Sequence, residues 1–273
     1  MQNKYPLKIR ASSLPSWPDC PRRGATRLLK HEITEAGYTL RTTPNGIGAI
    51  VGTSAHEASN YVMTSKKTGL IYNLPDAENI AIEKYREQLS GDMTWDETTP
   101  NSLHGEKQIA ILVKSFIIEV APTINQPENI ECLRTATIMP EIINSGTSDT
   151  ETAARHIYDW KYGSKKAFYH GQLGDYSLLQ KTHSGQETTA ITMCHMPRVP
   201  IKKTYPGATI YRYDVGVCER IAASTIHAII RDVTQWRETL KPETFIANPM
   251  SMLCSPKYCA AHGTEFCEIT KSI

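Results

Sequence analysis

The feature that most constrains the fold is a change of sequence pattern near residue 123. Before it, three segments carry apolar residues at helical spacing. These segments are 52–67, 76–89 and 102–121. After it, three segments are short, rich in β-branched and aromatic residues, and separated by turn residues. These segments are 129–138, 142–149 and 156–163. The change predicts a helical first part followed by a meander of antiparallel strands.

The remaining segments predict a mixed core. Helical patterns occupy 170–181 and 219–240, and strand patterns occupy 188–197 and 208–215. The prolines of the first 27 residues predict an irregular arm that leads into a short helix around 22–36. Thr53 or Ser54 is the expected cap of the helix that follows. The order of elements predicts an α+β fold with a mixed central sheet flanked by helices.

We expect the whole chain to form a single domain with four parts. These are an N-terminal arm (1–45), a helical region (46–122), a core (123–240) and a cysteine-rich segment (241–273). At 273 residues the chain can bury a sizeable core, and its apolar runs are too short to span a bilayer. The N-terminus has no apolar stretch of the kind found in secretory signals, so we expect a cytoplasmic protein.

The net charge of +2 argues against a protein coated in basic residues. Local basic clusters exist, and each is more often a solvated face than a phosphate-binding track. Their members are Arg22, Arg23, Arg27, Lys30, Lys165, Lys166, Lys202 and Lys203.

An acid and a lysine share one side of the third predicted strand. Asp159 and Lys161 are two residues apart, with Trp160 between them, and side chains alternate faces along a strand. One interpretation is an ion pair on a solvated strand, which contributes only ~0–1 kcal/mol. The other is a metal-binding carboxylate beside a cationic group that orients a water molecule.

A second carboxylate favours the metal interpretation. Asp149 ends the preceding strand, and a hairpin through 150–155 brings it to the same sheet edge as Asp159. Two carboxylates a few ångströms apart repel each other unless a cation lies between them. Mg²⁺ and Mn²⁺ accept such ligands, lower the pKa of a bound water and stabilise charge on a phosphate. Lys161 can hold that water or the developing charge.

Several elements in order give the chain a family resemblance. They are 52–56 with its histidine, Glu131, 146–149, 159–161, 172–176 and a divided set of cysteines. In this order they resemble the PD-(D/E)XK nuclease superfamily. The nearest branch is RecB-like, with the RecB and AddB nuclease domains, the CRISPR adaptation nucleases that hold an iron–sulfur cluster, and compact phage relatives. The resemblance runs from Cys20 to Cys267, without a motif match in 60–120 or 185–215.

The resemblance implies a role for each matching residue. His56, Asp149 and Asp159 would bind the metal, and the backbone carbonyl of Trp160 would face it. Lys161 would be the catalytic lysine. Gln172 and Tyr176 would border the site and the nucleic acid, and Glu131 would add an acid from the preceding strand. Without the resemblance, His56 is more often an exposed or satisfied histidine, and Gln172 and Tyr176 can form a half-buried polar edge.

The cysteines fall into two groups. Cys132, Cys194 and Cys218 are isolated and predicted to be small buried hydrophobic residues. Cys20 stands near the start, and Cys254, Cys259 and Cys267 crowd near the end. The resemblance implies that these four hold a structural [4Fe–4S] cluster that joins the two ends. The C-terminal three are more widely spaced than is common in the family. A zinc site of four cysteines, or of three with His262, is the alternative, and four unligated thiols is the third interpretation.

The resemblance implies a Mg²⁺- or Mn²⁺-dependent deoxyribonuclease, expected to act as an exonuclease. The helical stretch 60–120 can arch over the site and thread one strand of DNA that has a free end or is single-stranded. A compact nuclease of this kind suits a phage or mobile element in a host cytoplasm, with a recombination partner protein. No Walker A motif is present, so ATP-driven unwinding would come from a partner. The alternatives are a protein that holds DNA ends without cutting, and a zinc-ribbon-like interaction protein whose Asp159 and Lys161 are surface decoration.

Overall fold

A mixed β-sheet forms the centre of the computed structural model, which describes residues 5–89, 93–164 and 167–270. Within those residues the sheet has six strands. They are β1 (Leu7–Arg10), β4 (Pro127–Met139), β5 (Ile142–Thr152), β6 (His156–Lys161), β7 (Ala190–His195) and β8 (Thr209–Tyr213). A small separate pairing joins β2 (Asn45–Gly46) to β3 (Met93–Thr94).

Strand β5 organises this sheet because it pairs with three strands. It runs antiparallel to β4 along its length, parallel to β1 through Ile142–Ser145, and antiparallel to β6 at Thr150 and Glu151. Strands β6 and β7 are parallel, and β7 and β8 are antiparallel. The mixed sheet of the sequence prediction is therefore confirmed, as is the antiparallel meander of β4, β5 and β6.

Helices cover both faces of the sheet. In chain order they are α1 (Ser16–Asp19), α2 (Pro21–Leu28), α3 (Lys30–Glu35), α4 (Ile47–Thr68), α5 (Leu74–Gln88), α6 (Ser102–Ser115), α7 (His170–Ser184) and α8 (Val215–Thr239). A π-helical turn, Phe116–Val120, extends α6, and short 3₁₀ turns occupy Ala11–Ser13, Ala121–Thr123, Pro242–Thr244 and Glu265–Thr270. The predicted α+β fold with a helical first part is confirmed.

The alternation of β6 sends its side chains into two different cores. Tyr158 and Trp160 pack against α4, α5 and α6. Ile157, two residues before Asp159, packs on the opposite face against Leu173 of α7. A third core joins the N-terminal helices, α8 and the C-terminal segment, and contains Trp17, Trp236, Phe245 and Phe266. The β6 residues 157, 159 and 161 therefore face α7, whereas 158 and 160 face the helical region.

The N-terminal arm differs from the sequence prediction. Its first described residues are not irregular, since Leu7–Arg10 forms β1 and pairs with β5. The single helix expected around 22–36 is two helices, because Leu29 leaves the helical conformation between α2 and α3. The expected cap at Thr53 or Ser54 is wrong as well. Helix α4 begins at Ile47, and the Ser54 hydroxyl bonds the Ile50 carbonyl within the helix.

The first basic cluster is not a solvated face throughout. Arg22 and Arg23 are buried, and the Arg22 guanidinium donates to the carbonyls of Pro242 and Phe245. Those carbonyls belong to the C-terminal segment, so the arginine ties that segment to α2 by two hydrogen bonds. Lys165 and Lys166 lie outside the described residues. Among the helices described, none is long and apolar enough to cross a membrane.

Candidate functional site

Helix α4 places His56 between two carboxylates. Its Nε2 forms a short hydrogen bond with Glu131 Oε1 and lies 3.8 Å from Asp149 Oδ1. The ring also lies 5.7 Å, between centroids, from the indole of Trp160. About a quarter of the His56 side chain is exposed, so the histidine closes the site from the helical side and remains open to solvent.

Glu131 reaches the site through an unusual backbone conformation. Its neighbours Ile130 and Cys132 pair with Thr150 and Ser148, so the register of β4 sets Glu131 opposite Asp149. Glu131 itself has φ = 51°, in the left-handed region, which costs roughly 1–3 kcal/mol for a residue with a side chain. Backbone strain of this kind clusters at functional sites.

These three residues form a possible metal-binding group. In the described part of the chain, His56, Glu131 and Asp149 are the group of histidine, cysteine and acidic residues whose ligand atoms all lie within 4.8 Å of one another. Carboxylate oxygens suit Mg²⁺ and Mn²⁺, and an imidazole nitrogen suits the transition metals. The donor set therefore fits a divalent cation.

Asp149 is buried at a gap in the sheet. The pairing of β5 with β6 stops at Thr150. Beyond it, the Trp160 backbone N–H donates to Asp149 Oδ2, at 2.7 Å, in place of a backbone carbonyl of β5. Burial and the nearby Asp159 raise the pKa of Asp149, against the opposing charges of His56 and Lys161. A cation beside such a carboxyl would favour its ionised form and lower its pKa again.

His56 responds to the same charges in the opposite direction. Burial works against its positive form, but Asp149 and the hydrogen-bonded Glu131 outweigh burial and raise the pKa of His56 to about 9. Without a metal, the imidazolium is the cation that separates the two carboxylates. A metal ion at this position has to displace that proton before the ring can be a ligand.

Asp159 and Lys161 form a second, buried part of the site. Lys161 Nζ donates to Asp159 Oδ1 at 2.9 Å, and the Asp159 carboxyl is fully buried. Its other oxygen, Oδ2, is buried without a protein partner. Burial opposes the charge on Lys161, but Asp159 and Asp149 raise the pKa of the ammonium above its usual value. The interpretation of an ion pair on a solvated strand does not fit these residues.

Helix α7 adds two further predicted residues. Gln172 Nε2 donates to Tyr176 Oη at 2.6 Å, and both side chains are buried. Burial raises the pKa of Tyr176, and Asp159 adds to the shift, which places the phenol near that carboxylate. The two residues thus form a buried polar edge beside Asp159 and Lys161 rather than a half-buried one.

The structure divides the predicted metal ligands between two groups. Asp149 joins His56 and Glu131, whereas Asp159 is bound to Lys161 and lies outside that group. Tyr169, which the sequence interpretation did not single out, lies beneath Lys161, with its ring centroid 5.3 Å from Nζ. The run of three ring-bearing residues, 168–170, directly before α7 is the signal that could have drawn attention to it.

The cysteine near the start of the chain and the three near its end line one pocket. Cys20 lies between α1 and α2, and Cys254, Cys259 and Cys267 approach from the C-terminal segment. The Asn248 backbone N–H donates to Cys20 Sγ at 3.4 Å. Burial raises the pKa of Cys254 and of Cys259, and the neighbouring cysteines raise both further.

The three isolated cysteines lie apart from the pocket. Cys194 and Cys218 are buried as expected, whereas Cys132 is half-exposed.

The pocket walls bear on the kind of metal that fits. Arg22 and Arg23 also line it, and Arg23 Nε is buried without a protein partner. Arg23 is ion-paired with Asp19, at 2.7 Å, so its charge is already partly offset. Ligands of one zinc ion, each about 2.3 Å from the metal, lie within about 4.6 Å of one another. No three of the four sulfurs, all in described residues, lie within 4.8 Å of one another.

Comparison with known proteins supports the fold. The sequence matches no protein-family model and no curated protein. The structure is similar to a crystal structure from Eubacterium rectale named "Putative exonuclease", with a TM-score of 0.53 and 9% sequence identity. The similarity covers 91% of this chain and 87% of that chain. At this identity the likeness concerns the fold alone. The chain therefore shares with that protein a mixed sheet flanked by helices, consistent with the restriction-endonuclease-like fold.

Proposed function

We propose that this chain is a Mg²⁺- or Mn²⁺-dependent deoxyribonuclease of the PD-(D/E)XK type, in its RecB-like branch. The observation that carries the proposal is the adjacency of two groups. His56, Glu131 and Asp149 form a compact set of metal ligands, and the buried Asp159–Lys161 pair lies beside it. The fold of the Eubacterium rectale protein, and the activity in its name, agree with this proposal.

The chain's own residues have distinct tasks in this proposal. His56, Glu131 and Asp149 would hold the ion, and Asp159 has a free buried oxygen with which to join them. The bound ion would lower the pKa of a water molecule and stabilise charge on the scissile phosphate. Asp159 fixes the Lys161 ammonium and keeps it protonated, so that it can donate to a phosphate oxygen as negative charge develops.

The Trp160 backbone determines how the two groups are joined. Its N–H donates to Asp149, while the side chains before and after it are Asp159 and Lys161. One short stretch of β6 thus orients the metal carboxylate and carries the lysine. Placement of reacting groups before substrate arrives is a large part of enzymatic rate enhancement.

The proposal includes a [4Fe–4S] cluster held by Cys20, Cys254, Cys259 and Cys267, with zinc as the alternative metal. The convergence of the four cysteines on one pocket supports a metal centre at this place. Its role would be structural, because the pocket joins the N-terminal helices to the C-terminal segment. In this proposal the whole chain is one nuclease domain in which the metal centre holds the two ends together.

We further infer that the enzyme acts at DNA ends, as an exonuclease of a phage or mobile element, together with a recombination partner in the cytoplasm. The helical region α4–α6 covers the face of the sheet on which His56 lies, and it would guide one strand toward the site. Equal cleavage of linear and covalently closed circular DNA would contradict the preference for ends.

The first experiment is cleavage of end-labelled single- and double-stranded DNA, linear and circular, with Mg²⁺ or Mn²⁺ and an EDTA control. Wild type is compared with Lys161→Ala and with Lys84→Ala, whose lysine lies on the exposed face of α5 beside Glu87. We expect metal-dependent cutting that Lys161→Ala abolishes and Lys84→Ala preserves. Binding without cutting would support a protein that holds DNA ends, and neither binding nor cutting would contradict both.

A further inference from the structure

We propose that the exposed ring of Phe168 is a stacking platform for a nucleobase of the bound DNA strand. This inference rests on the proposed nuclease function and deepens it. It assigns a substrate-contacting role to a residue outside the catalytic motifs. It also makes single-stranded or frayed DNA the substrate class of the site.

Phe168 is exceptional among the phenylalanines of the chain. Phe116, Phe245 and Phe266 are buried, with at most 1% of their surface exposed, whereas Phe168 is 50% exposed. Keeping an apolar ring of this size in water forgoes the roughly 1.5–3 kcal/mol that its complete burial would contribute. The exposed face is therefore available to a ligand with an apolar, planar surface.

The ring is held in one orientation by its neighbours. Phe168 stacks on His170, with ring centroids 4.3 Å apart and planes inclined by 25°. His170 in turn meets Tyr213 of β8 edge to face, at 4.7 Å and 79°. The result is a column of three rings anchored on the sheet, with Phe168 at the outer end. A rigid aromatic anchor loses little conformational entropy when it binds a planar partner.

The chain links this column to the proposed catalytic groups through Tyr169. Tyr169, between Phe168 and His170 in the chain, has its ring centroid 5.3 Å from Lys161 Nζ. Burial raises the pKa of Tyr213 to about 12, and neighbouring ionisable groups that include Asp159 add to the shift. The Asp159 charge therefore acts on Tyr213, the inner ring of the column. A phosphate near Lys161 would bring the base of a flanking nucleotide within reach of Phe168.

A nucleobase fits this surface because every base has a flat π-face. Base–aromatic stacking tolerates any sequence, which suits an enzyme that degrades DNA without sequence preference. Inside a duplex, however, each base is already stacked on its neighbours and offers only an edge. Apart from the outer face of a terminal base pair, a base can reach Phe168 only after it has left the stack, as in a single strand or a frayed end. The platform therefore favours unpaired DNA and strand ends over the interior of a duplex.

The test separates stacking from simple apolar contact. The variants are Phe168→Ala, Phe168→Leu and Phe168→Trp, with Ile118→Ala as the matched control at another exposed apolar residue. Binding is followed by the fluorescence quenching of 2-aminopurine, placed at successive positions of a single-stranded oligonucleotide. These binding measurements use a Lys161→Met background, which we expect to prevent cleavage. The rate of cleavage is then measured with Lys161 intact, on the same oligonucleotide and on versions that carry one abasic site.

We expect Phe168→Ala to remove the quenching at one position and to weaken binding roughly five- to hundredfold. Phe168→Trp should restore both, Phe168→Leu should not, and Ile118→Ala should resemble wild type. An abasic site at that position should slow wild type and leave Phe168→Ala unaffected. Equal quenching and equal abasic sensitivity in wild type and Phe168→Ala would overturn the platform.

The two proposals fail in different ways. If Lys161→Ala still cleaves DNA, the proposed catalytic site is wrong, yet the loss of quenching in Phe168→Ala would still support stacking. If cleavage depends on Lys161 but Phe168→Ala behaves as wild type on both substrates, only the platform is wrong.

Discussion

The Trp160 backbone N–H donates to the Asp149 carboxylate at 2.7 Å, in the gap where β6 no longer pairs with β5. A carboxylate thus replaces a strand as the partner of a sheet residue. This bond fixes Oδ2 of Asp149 and leaves Oδ1 directed toward His56. The metal ligand is therefore oriented by the strand that carries Asp159 and Lys161.

We expect Asp149→Asn to abolish metal binding without loss of the fold. The asparagine oxygen can still accept the Trp160 N–H, and the loss of the Asp149 charge relieves its repulsion with Asp159. Thermal unfolding with and without Mn²⁺ is the measurement, with Glu83→Gln on exposed α5 as the control. In wild type and Glu83→Gln, Mn²⁺ should raise Tm. If Mn²⁺ still raises the Tm of Asp149→Asn, the metal lies elsewhere.

Metal affinity should rise with pH up to about 9. The pKa of His56 is raised to about 9 by Asp149 and Glu131, and the ring must lose its proton before it can be a ligand. Below that pH the apparent affinity for Mn²⁺ should fall by up to about tenfold per pH unit for one displaced proton. Calorimetry in buffers of different ionisation enthalpy measures that proton directly. A pH-independent affinity in wild type, or an unchanged slope in His56→Gln, would contradict this role.

Loss of one cysteine of the pocket should remove the bound metal. After anaerobic purification we expect about four iron atoms per chain and visible absorbance in wild type. Cys20→Ala should lose both and should unfold at a lower temperature, because the pocket joins the two ends of the chain. Cys132→Ala, at the half-exposed cysteine of β4, serves as the control. Stoichiometric zinc without iron in wild type would replace the cluster by the zinc alternative.

A buried acid–amide pair should give the fold a measurable pH dependence. Asp175 is buried and accepts from Asn144 Nδ2, and Asp175 Oδ2 and Asn144 Oδ1 have no protein partner. Burial raises the pKa of Asp175 to about 7, against the opposing hydrogen bond from Asn144.

The sign of this dependence follows from the protons bound. Between about pH 4 and pH 7 the folded state keeps a proton that the unfolded state has lost, so stability falls as pH rises and levels off above 7. Asp175→Asn mimics the protonated acid and should remove this decline, which denaturant titrations across that range would detect. Parallel curves for wild type and Asp175→Asn would show that Asp175 does not titrate there.

Gly174→Ala should destabilise the packing of α7 on α8. A Cβ atom at Gly174 would lie 2.0 Å from the Cys218 carbonyl oxygen. Because this is a backbone atom, a change of rotamer cannot relieve the clash, and the helices have to move apart. We expect a loss of roughly 1–3 kcal/mol in the free energy of unfolding. Gly46→Ala, where a Cβ meets nothing within 4 Å, is the control. Equal effects of the two substitutions would show that the helices can separate at little cost.

Much of the fold could be predicted because its signals are local. The alternation in β5 and β6 and the helical spacing of α4 and α8 depend on near neighbours in the sequence. Strand β1 could not be found in this way, because Leu7–Arg10 becomes a strand only by pairing with residues more than 130 positions away. The burial of Arg22 likewise depends on carbonyls of the distant C-terminal segment.

The candidate site shows the same division. The spacing of Asp159 and Lys161 predicted a shared face, and they are bonded to each other. Sequence did not reveal that Asp159 lies outside the compact group, or that Glu131 enters it through a left-handed backbone conformation. Both facts depend on how β4, β5 and β6 pair in the folded sheet. A local residue pattern does not contain that information.

The pairing of β1 with the middle of the chain also has a consequence for biosynthesis. On the ribosome, Leu7–Arg10 emerges long before Ile142–Ser145, and Cys20 emerges before the three cysteines with which it shares a pocket. The segment with β1 and Cys20 therefore stays without its partners until they have been made, with an apolar strand and a thiol exposed. Aggregation or oxidation of this segment is most favoured in the interval between its translation and that of its partners.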